Sequence, residues 1–195
     1  MIKRALISVY NKDGIPEFAN GLIDLDIKIA SSGNTAKVLK DAGILVKEVS
    51  EITGYPAILG HRVVTLHPKI HGGILAKRTP EHLAEVEKYE IPLFDLVCVD
   101  LYPVEQAIAD SNATIESVIE MIDIGGPALI RGAAKNCENV IPIIDPSDRM
   151  PVLKELKENG EVTKKTRLDL AIKVFTRMSA YDNAIREFLA RKQES

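Results

Sequence analysis

Short apolar segments alternate with longer amphipathic segments along most of this chain. The apolar runs at 5–9, 27–30 and 45–49 predict strands, as do the near-continuous runs at 94–100 and 140–144. Apolar positions three or four residues apart predict helices over 15–25, 35–42 and 164–192. Strands that are apolar throughout are typical of parallel sheets covered on both faces. The order of elements therefore predicts an α/β fold, a three-layer sandwich around a mainly parallel sheet with C-terminal helices.

Bulk properties narrow the class of protein further. The chain has 195 residues, 46% hydrophobic and 27% charged, so it can bury a proper core, and we predict a single domain over 1–195. A formal net charge of −3 provides no overall positive field, so nucleic acid is not expected as a partner. No apolar run approaches the ~20 residues that span a bilayer, so no membrane partner is expected either.

The two cysteines indicate the compartment. Cys98 and Cys137 have no CxxC spacing, lie in apolar or mixed surroundings and follow no signal peptide. Such cysteines are usually reduced, buried thiols. We therefore expect a cytoplasmic protein.

Two loops carry anion-binding chemistry where strands end, which is the edge at which parallel sheets bind ligands. The loop SVYNKDG (8–14) offers the hydroxyls of Ser8 and Tyr10 and the ammonium of Lys12. Small hydroxyls, glycines and free backbone N–H groups let a phosphate approach closely. The second loop, SSGNTAK (31–37), offers Ser32, Gly33, Asn34 and Thr35. Neither loop has the P-loop spacing, so an ordinary turn or helix cap fits each one as well.

The segment IDIGGPALIRGAAKN (122–136) combines a carboxylate, a helix start and two cations. We predict a helix with Pro127 at its first position, so that free N–H groups beside Gly125 and Gly126 favour an anion. Asp123 would be the acid or base next to that anion. A plain alternative makes Asp123 the helix cap and leaves Lys135 solvated. At about 1.5 Å per residue Lys135 lies roughly 12 Å along this helix, so the two share a ligand only if it is long or the chain folds back.

Three histidines, an arginine and a lysine crowd residues 61–73. His67 and His71 have helical i, i+4 spacing, but Pro68 and the glycine pair at 72–73 are predicted to break a helix, and no cysteine or glutamate stands nearby. We therefore expect no metal, and Arg62 with its neighbours favours an anionic ligand instead. The histidines could equally hold an irregular loop together by hydrogen bonds.

Tyr102 follows the strand at 94–100, at the same ligand-binding edge. Its phenol could donate a hydrogen bond to a developing oxyanion, or its ring could cover the core. Position alone leaves both interpretations open.

Seven motifs follow one another along the chain: SVYNKDG, SSGNTAK, VSEITGYP, TLHPKIHGGILAKR, VDLYP, IDIGGPALIRGAAKN and AYDNAI. In order and spacing they resemble the inosine monophosphate (IMP) cyclohydrolase domain of the bifunctional purine-biosynthesis enzyme, over about 4–189. The resemblance implies a methylglyoxal-synthase-like fold that closes the purine ring of 5-formamidoimidazole-4-carboxamide ribonucleotide (FAICAR) to give IMP and water. It also implies a small-molecule substrate, no metal, no organic cofactor, and a homodimer with the site near the subunit contact.

The resemblance also assigns roles to particular residues. Asp123 matches the family's acid/base aspartate, Lys135 its lysine in AAKN, and Tyr102 its tyrosine in LYP. Gly125 and Gly126 fall at the backbone donors. The expected phosphate and ribose contacts are Ser8, Tyr10, Lys12, Ser32, Gly33, Asn34, Thr35, Arg62 and Thr65.

Three positions depart from the family pattern. Where the family usually has GRVKTLHP, His61 replaces the glycine and Val64 replaces an active-site lysine. Valine cannot donate a proton, and removal of one such donor can cost about 10²–10³ in rate. We hypothesise that His61 or Lys69 supplies the missing cation. Asn34 replaces a family glycine and is a milder change, because asparagine tolerates the left-handed conformation.

Three functions therefore compete. The leading one is the cyclohydrolase, and the second is a nucleotide-binding homologue that lost turnover together with its lysine. The third is methylglyoxal synthase, which needs a phosphate pocket and carboxylates, although the match through IDIGG and RGAAKN speaks against it. A transformylase domain follows this one in the bifunctional enzyme, so a free-standing cyclohydrolase and a segment of the longer enzyme both fit the chain.

Overall fold

A computed structural model describes residues 2–193, and five parallel strands form its centre. The strand order is β3-β2-β1-β4-β5, so the chain reverses its direction of travel across the sheet between β1 and β4. Crevices at such a reversal are the usual ligand sites of open α/β sheets. The strands are β1 (Arg4–Ser8), β2 (Lys28–Ser31), β3 (Val46–Glu48), β4 (Leu96–Val99) and β5 (Ile141–Ile143).

Ten α-helices and one 3₁₀ turn connect and cover these strands in the described part of the chain. The C-terminal helix is the longest, with 30 residues, and confirms the predicted helical stretch at 164–192. None of the helices between residues 2 and 193 combines the length and the apolar character that a membrane span requires. The helices are α1 (Ile15–Ile23), α2 (Gly33–Asp41), α3 (Val49–Thr53), α4 (Pro68–Leu75), α5 (Pro80–Lys88), α6 (Val104–Ala109), α7 (Ile115–Glu120), α8 (Gly125–Lys135), α9 (Arg149–Asn159) and α10 (Lys164–Gln193), with the 3₁₀ turn at Pro146–Asp148.

Two hydrophobic cores lie on opposite faces of the sheet. Successive side chains of β1 point to opposite faces, so Leu6 joins one core while Ala5 and Ile7 join the other. Helices α1, α2 and α9 cover the face of Ala5 and Ile7, and α4, α8 and α10 cover the face of Leu6. The three-layer sandwich predicted from the sequence is therefore confirmed.

The prediction that residues 68–73 cannot be helical is wrong, because they belong to α4. Pro68 occupies the first turn, where its missing N–H would have no helical partner, and the Nδ1 atom of His67 caps the helix by accepting from the N–H of Lys69 at 3.1 Å. Gly73 permits close packing, since a Cβ atom there would lie 2.0 Å from the carbonyl oxygen of Pro92. Gly73 therefore serves close packing, and neither glycine of the pair ends the helix.

Helix α8 also differs from its prediction. It begins at Gly125, two residues before Pro127, which is the third residue of the helix instead of the first. Proline remains tolerated there, because the N–H groups of the first turn have no intrahelical acceptor. The earlier start brings the first N–H groups of the helix close to Asp123.

We predict that Gly73→Ala destabilises the protein by about 1–3 kcal/mol, because the new methyl group meets backbone that cannot move independently. Gly72→Ala is the matched control in the same helix. Its methyl group would meet only the Ile91 side chain, at 3.1 Å, and alanine favours the helix by about 1 kcal/mol. Urea unfolding of the two variants measures the difference, and equal stabilities would contradict this packing role of Gly73.

Candidate active site

The loops that follow β1, β2 and β4 meet at the carboxyl edge of the sheet. The buried hydroxyl of Thr35 accepts from the N–H of Val9 at 3.1 Å and donates to the carbonyl of Val9 at 3.0 Å, which ties the β1 loop to α2. The rings of Tyr10 and Tyr102 lie 5.3 Å apart between centroids, tilted by 59°. The structure thus brings together the predicted residues of three separate loops.

The start of α2 leaves backbone N–H groups without a capping side chain. Ser32 occupies the cap position without a side-chain capping hydrogen bond, and Gly33 adopts the left-handed conformation with φ of +53°. The N–H groups of this nine-residue helix's first turn are therefore not used by its cap side chain. Asn34 lies inside the helix and the left-handed position belongs to Gly33, so the tolerance expected of asparagine is not needed.

The side chain of Lys12 folds back onto the backbone of its own loop. Its ammonium donates to the carbonyl oxygen of Tyr10 at 2.9 Å and to that of Val9. Partial burial lowers its pKa, and the nearby carboxylate of Asp100 opposes that shift. Ser8 closes β1 half-buried just before this loop. The loop after β1 therefore presents one held cation and two hydroxyl-bearing side chains.

The Asp123 carboxylate caps α8. Its Oδ1 atom accepts from the N–H of Gly126 at 3.0 Å, and its own N–H donates to the Tyr181 hydroxyl at 2.8 Å. A Cβ atom at residue 126 would lie 2.3 Å from Asp123 Oδ2, so only glycine leaves room for the carboxyl group. The capping arrangement left open by the sequence is thus present, and an acid or base role is compatible with it.

Burial raises the pKa of Asp123. Hydrogen bonds from the N–H groups of Gly126 and Gly125 oppose that rise, while the negative charge of Asp100 adds to it. A carboxyl group with a raised pKa holds its proton closer to neutral pH, which suits proton transfer. Perturbed carboxyl groups of this kind concentrate at functional sites.

The segment before α4 passes beside the start of α8. The Thr65 hydroxyl is buried there, 3.1 Å from where a Cβ atom of residue 125 would lie. Val64 is half-buried next to it, at the position where the resembling family has its lysine. Arg62 differs from these two residues, because its side chain is 68% exposed and pairs with Glu120.

Neither candidate replacement for that lysine is shown beside Asp123. The Lys69 ammonium faces the carboxylate of Glu90, 4.0 Å away. His61 is exposed on the surface and has a left-handed backbone with φ of +69°, a conformation that suits the glycine it replaces.

Lys135 lies at the far end of α8 from Asp123. Eleven residues of helix separate the two groups by about 15 Å, and Lys135 is exposed. The next residue, Asn136, is buried and caps α4, donating to the carbonyl oxygens of Ile74 at 2.7 Å and Ala76 at 3.1 Å. Within one chain the structure does not bring Lys135 to the other predicted catalytic residues.

Sequence reasoning missed three residues at this edge. Tyr181 belongs to the motif AYDNAI, but nothing in its spacing indicates contact with Asp123. The motif VDLYP indicates no role for its Asp100, and Arg149, which pairs with Asp100 at 2.8 Å, lies in none of the seven motifs.

A cleft of about 660 Å³ opens on the β5 side of Asp100. The loops after β1, β4 and β5 line it together with one face of α10, including Tyr10 and Ile172. Its size suits a small molecule. Asp123 is not part of its lining, so this cleft adjoins the predicted site.

Between residues 2 and 193, no three histidine, cysteine, aspartate or glutamate side chains are grouped so that they could hold a metal ion. The Nδ1 atom of His67 is used by the backbone, and His71 has a half-buried ring whose Nε2 atom is buried without a hydrogen-bond partner. Burial lowers the pKa of His71, so its ring is neutral near pH 7.

Comparison with known proteins assigns the family. The sequence model of the MGS-like domain matches residues 14–128, and the chain belongs to this family. A second model, described as AICARFT/IMPCHase bienzyme, matches residues 133–195. The two matches confirm the resemblance to the cyclohydrolase domain of the bifunctional enzyme, and they indicate a function related to purine biosynthesis.

A solved structure is also similar over nearly its whole length. The crystal structure of a protein named ForH matches with a TM-score of 0.84 and 39% sequence identity. The match covers 96% of this chain and 97% of that chain.

We predict that Asp123→Asn is more stable than the wild type above pH 7, because asparagine keeps an acceptor for Gly126 and removes a buried charge. The raised pKa of Asp123 means that protonation favours the folded state. The advantage of the variant should therefore shrink as the pH falls through that raised pKa toward 3.8, the ordinary value.

The control for this measurement is Asp145→Asn. Asp145 accepts from the Ser147 N–H at 2.8 Å, and that bond lowers its pKa. Asparagine keeps an acceptor here too but removes the negative charge that strengthens this hydrogen bond, so Asp145→Asn should destabilise the protein at neutral pH and cost less as the pH falls. Chemical denaturation between pH 4 and 8 follows both variants. A destabilised Asp123→Asn protein at pH 8 would contradict the burial argument.

Proposed function

We propose that this chain is an IMP cyclohydrolase that closes the ring of FAICAR and releases water. The observation that carries the proposal is the half-buried carboxyl of Asp123, with its raised pKa, beside loops that can bind a phosphate. Membership of the MGS-like family and the match to the AICARFT/IMPCHase bienzyme support it.

In this proposal the substrate phosphate binds at the start of α2, near Lys12. The heterocycle lies toward Tyr102 and Asp123, where its carboxamide nitrogen attacks the formyl carbon. A carbon–nitrogen bond forms, the carboxamide nitrogen loses a proton and the formyl oxygen becomes a hydroxyl by gaining one. The hydroxyl then takes a second proton and leaves as water when its carbon–oxygen bond breaks, while the formamido nitrogen loses its proton and forms the carbon–nitrogen double bond of the ring. Asp123 exchanges these protons, and most of the acceleration comes from holding the two substituents in contact.

A homodimer would explain the position of Lys135. The lysine is about 15 Å from Asp123 along α8 in its own chain. A second copy could present its own Lys135 to this site, in line with the homodimer implied by the family resemblance. We therefore propose a dimer in which each site takes Asp123 from one copy and Lys135 from the other.

Mixing two inactive variants tests both the activity and the shared site. Purified Asp123→Asn and Lys135→Ala proteins should each convert FAICAR to IMP poorly, as followed by IMP absorbance. Random exchange of subunits should restore about a quarter of wild-type activity, because half of the dimers are mixed and each has one intact site. No recovery in dimers shown to have exchanged would contradict the shared site, and an inactive wild type would contradict the cyclohydrolase.

A nucleotide-binding homologue with weak turnover is the second candidate. Val64 favours it, because valine cannot replace a lysine and the Lys69 ammonium faces Glu90 instead. Under this alternative, calorimetry shows that the wild type binds IMP, while FAICAR incubated with the protein is not converted.

We predict that Val64→Lys raises the rate of ring closure by up to about 10²–10³, the effect of restoring one donor to developing charge. Val63→Lys is the matched control on the adjacent residue and should leave the rate at the wild-type level. Single-turnover kinetics measures the chemical step directly. An unchanged rate in a folded Val64→Lys protein would show that no cation is missing from the site.

We also propose a cytoplasmic location. Cys98 and Cys137 are both free thiols. Complete burial raises the pKa of Cys98 to about 12, so this thiol is unreactive and structural.

A further inference from the structure

A buried ion pair lies beneath the loop that follows β1. Asp100 comes directly after β4, and Arg149 is the first residue of α9. The Nη2 atom of Arg149 lies 2.8 Å from Oδ2 of Asp100, and their side chains are only 4% and 11% exposed. A pair this deeply buried is costly to desolvate, so it persists only where further hydrogen bonds satisfy it.

The hydrogen bonds that the pair makes with backbone groups all go to one loop. Arg149 donates to the carbonyl oxygens of Asp13 at 3.0 Å and Asn11 at 3.2 Å. Asp100 accepts from the N–H of Asn11 at 3.2 Å and from that of Tyr10. The ion pair therefore fixes both the donors and the acceptors of residues 10–13.

The same loop carries the cation of the proposed phosphate site. The Lys12 ammonium is held by the carbonyl oxygens of Val9 and Tyr10, so its position follows the conformation of the loop backbone. We propose that Asp100 and Arg149 are positioning residues for substrate binding, which hold the β1 loop so that Lys12 and Tyr10 meet the phosphate and base of the nucleotide. This inference rests on the proposed function.

Asp100 also acts on Asp123 through its charge. Burial raises the pKa of Asp100, while Arg149, the N–H groups of Tyr10 and Asn11, and the Lys12 ammonium oppose that rise. Burial is the main cause of the raised pKa of Asp123, the N–H groups of Gly126 and Gly125 oppose the rise, and the negative charge of Asp100 adds a smaller contribution to it. Removing the Asp100 charge should therefore move the titration of Asp123 to lower pH, which a purely structural contact would not do.

The opposite end of β4 provides a matched control. Asp95 precedes the strand, accepts from the N–H groups of Lys3 at 2.8 Å and Arg4 at 3.1 Å, and pairs with Arg78 at 2.8 Å. This pair has the same chemistry and likewise holds backbone next to β1. It lies at the amino edge of the sheet, away from the proposed site.

The experiment compares Asp100→Asn and Arg149→Lys with Asp95→Asn and Arg78→Lys in the full chain. Asparagine removes the negative charge of the aspartate, and lysine cannot make the paired hydrogen bonds of the arginine guanidinium. Each substitution keeps the approximate size of the side chain. For the first two variants we expect the Kd of IMP and the KM of FAICAR to rise about tenfold or more, because charge-assisted hydrogen bonds that order the loop are lost. In Asp100→Asn, the part of the pH profile of kcat/KM that reports the titration of Asp123 should also move to lower pH. The two control variants should keep wild-type Kd, KM and pH profile.

Hydrogen exchange of the Tyr10 and Asn11 amides separates this inference from the proposed function. Faster exchange in Asp100→Asn and Arg149→Lys, with weaker binding of inorganic phosphate, supports the positioning role even if the wild type does not make IMP. Wild-type exchange, phosphate binding and pH profile in both folded variants would overturn it. If one variant fails to fold, the other still decides, because both act on the same loop.

Discussion

The half-buried carboxyl of Asp123 is the constraint on which the rest of the site depends. It lies at the start of α8, where Gly126 leaves space for it and donates a hydrogen bond, and where the Tyr181 hydroxyl accepts from its backbone N–H. Such a carboxyl is costly to bury as an anion, so its pKa in the folded protein lies above the ordinary value. A carboxyl group whose pKa is raised by burial is suited to exchange a proton with a bound substrate.

Backbone groups and buried partners, more than exposed side chains, build the surroundings of this carboxyl. Thr35 joins the loop after β1 to α2, and the Asp100–Arg149 pair holds the same loop from below. The cations that would meet a substrate are fewer than the family resemblance implies, because Val64 replaces one and Lys135 lies at the opposite end of α8. In the proposed dimer, a second copy of the chain supplies the missing positive charge.

Periodicity predicted the fold well, because buried parallel strands and amphipathic helices leave strong local patterns. It failed at Gly72 and Gly73, which were predicted to break a helix but lie inside α4. At Gly73 the reason for the glycine is a close approach to the carbonyl oxygen of Pro92, which a local rule cannot detect. The carboxyl-edge rule pointed to Tyr102, since the end of a strand can be recognised locally, and the predicted helix start after the glycine pair pointed to Asp123. Arg149 could not be found in this way, because its partner Asp100 is 49 residues away and only the folded chain joins them.

The pKa of the Asp123 carboxyl, measured by NMR titration of the labelled side chain, tests the central claim most directly. We expect a value above the ordinary 3.8 in the wild type and a further change when IMP is bound, because the ligand alters the solvent and charge around the group. A value at or below 3.8 that does not respond to IMP would contradict it.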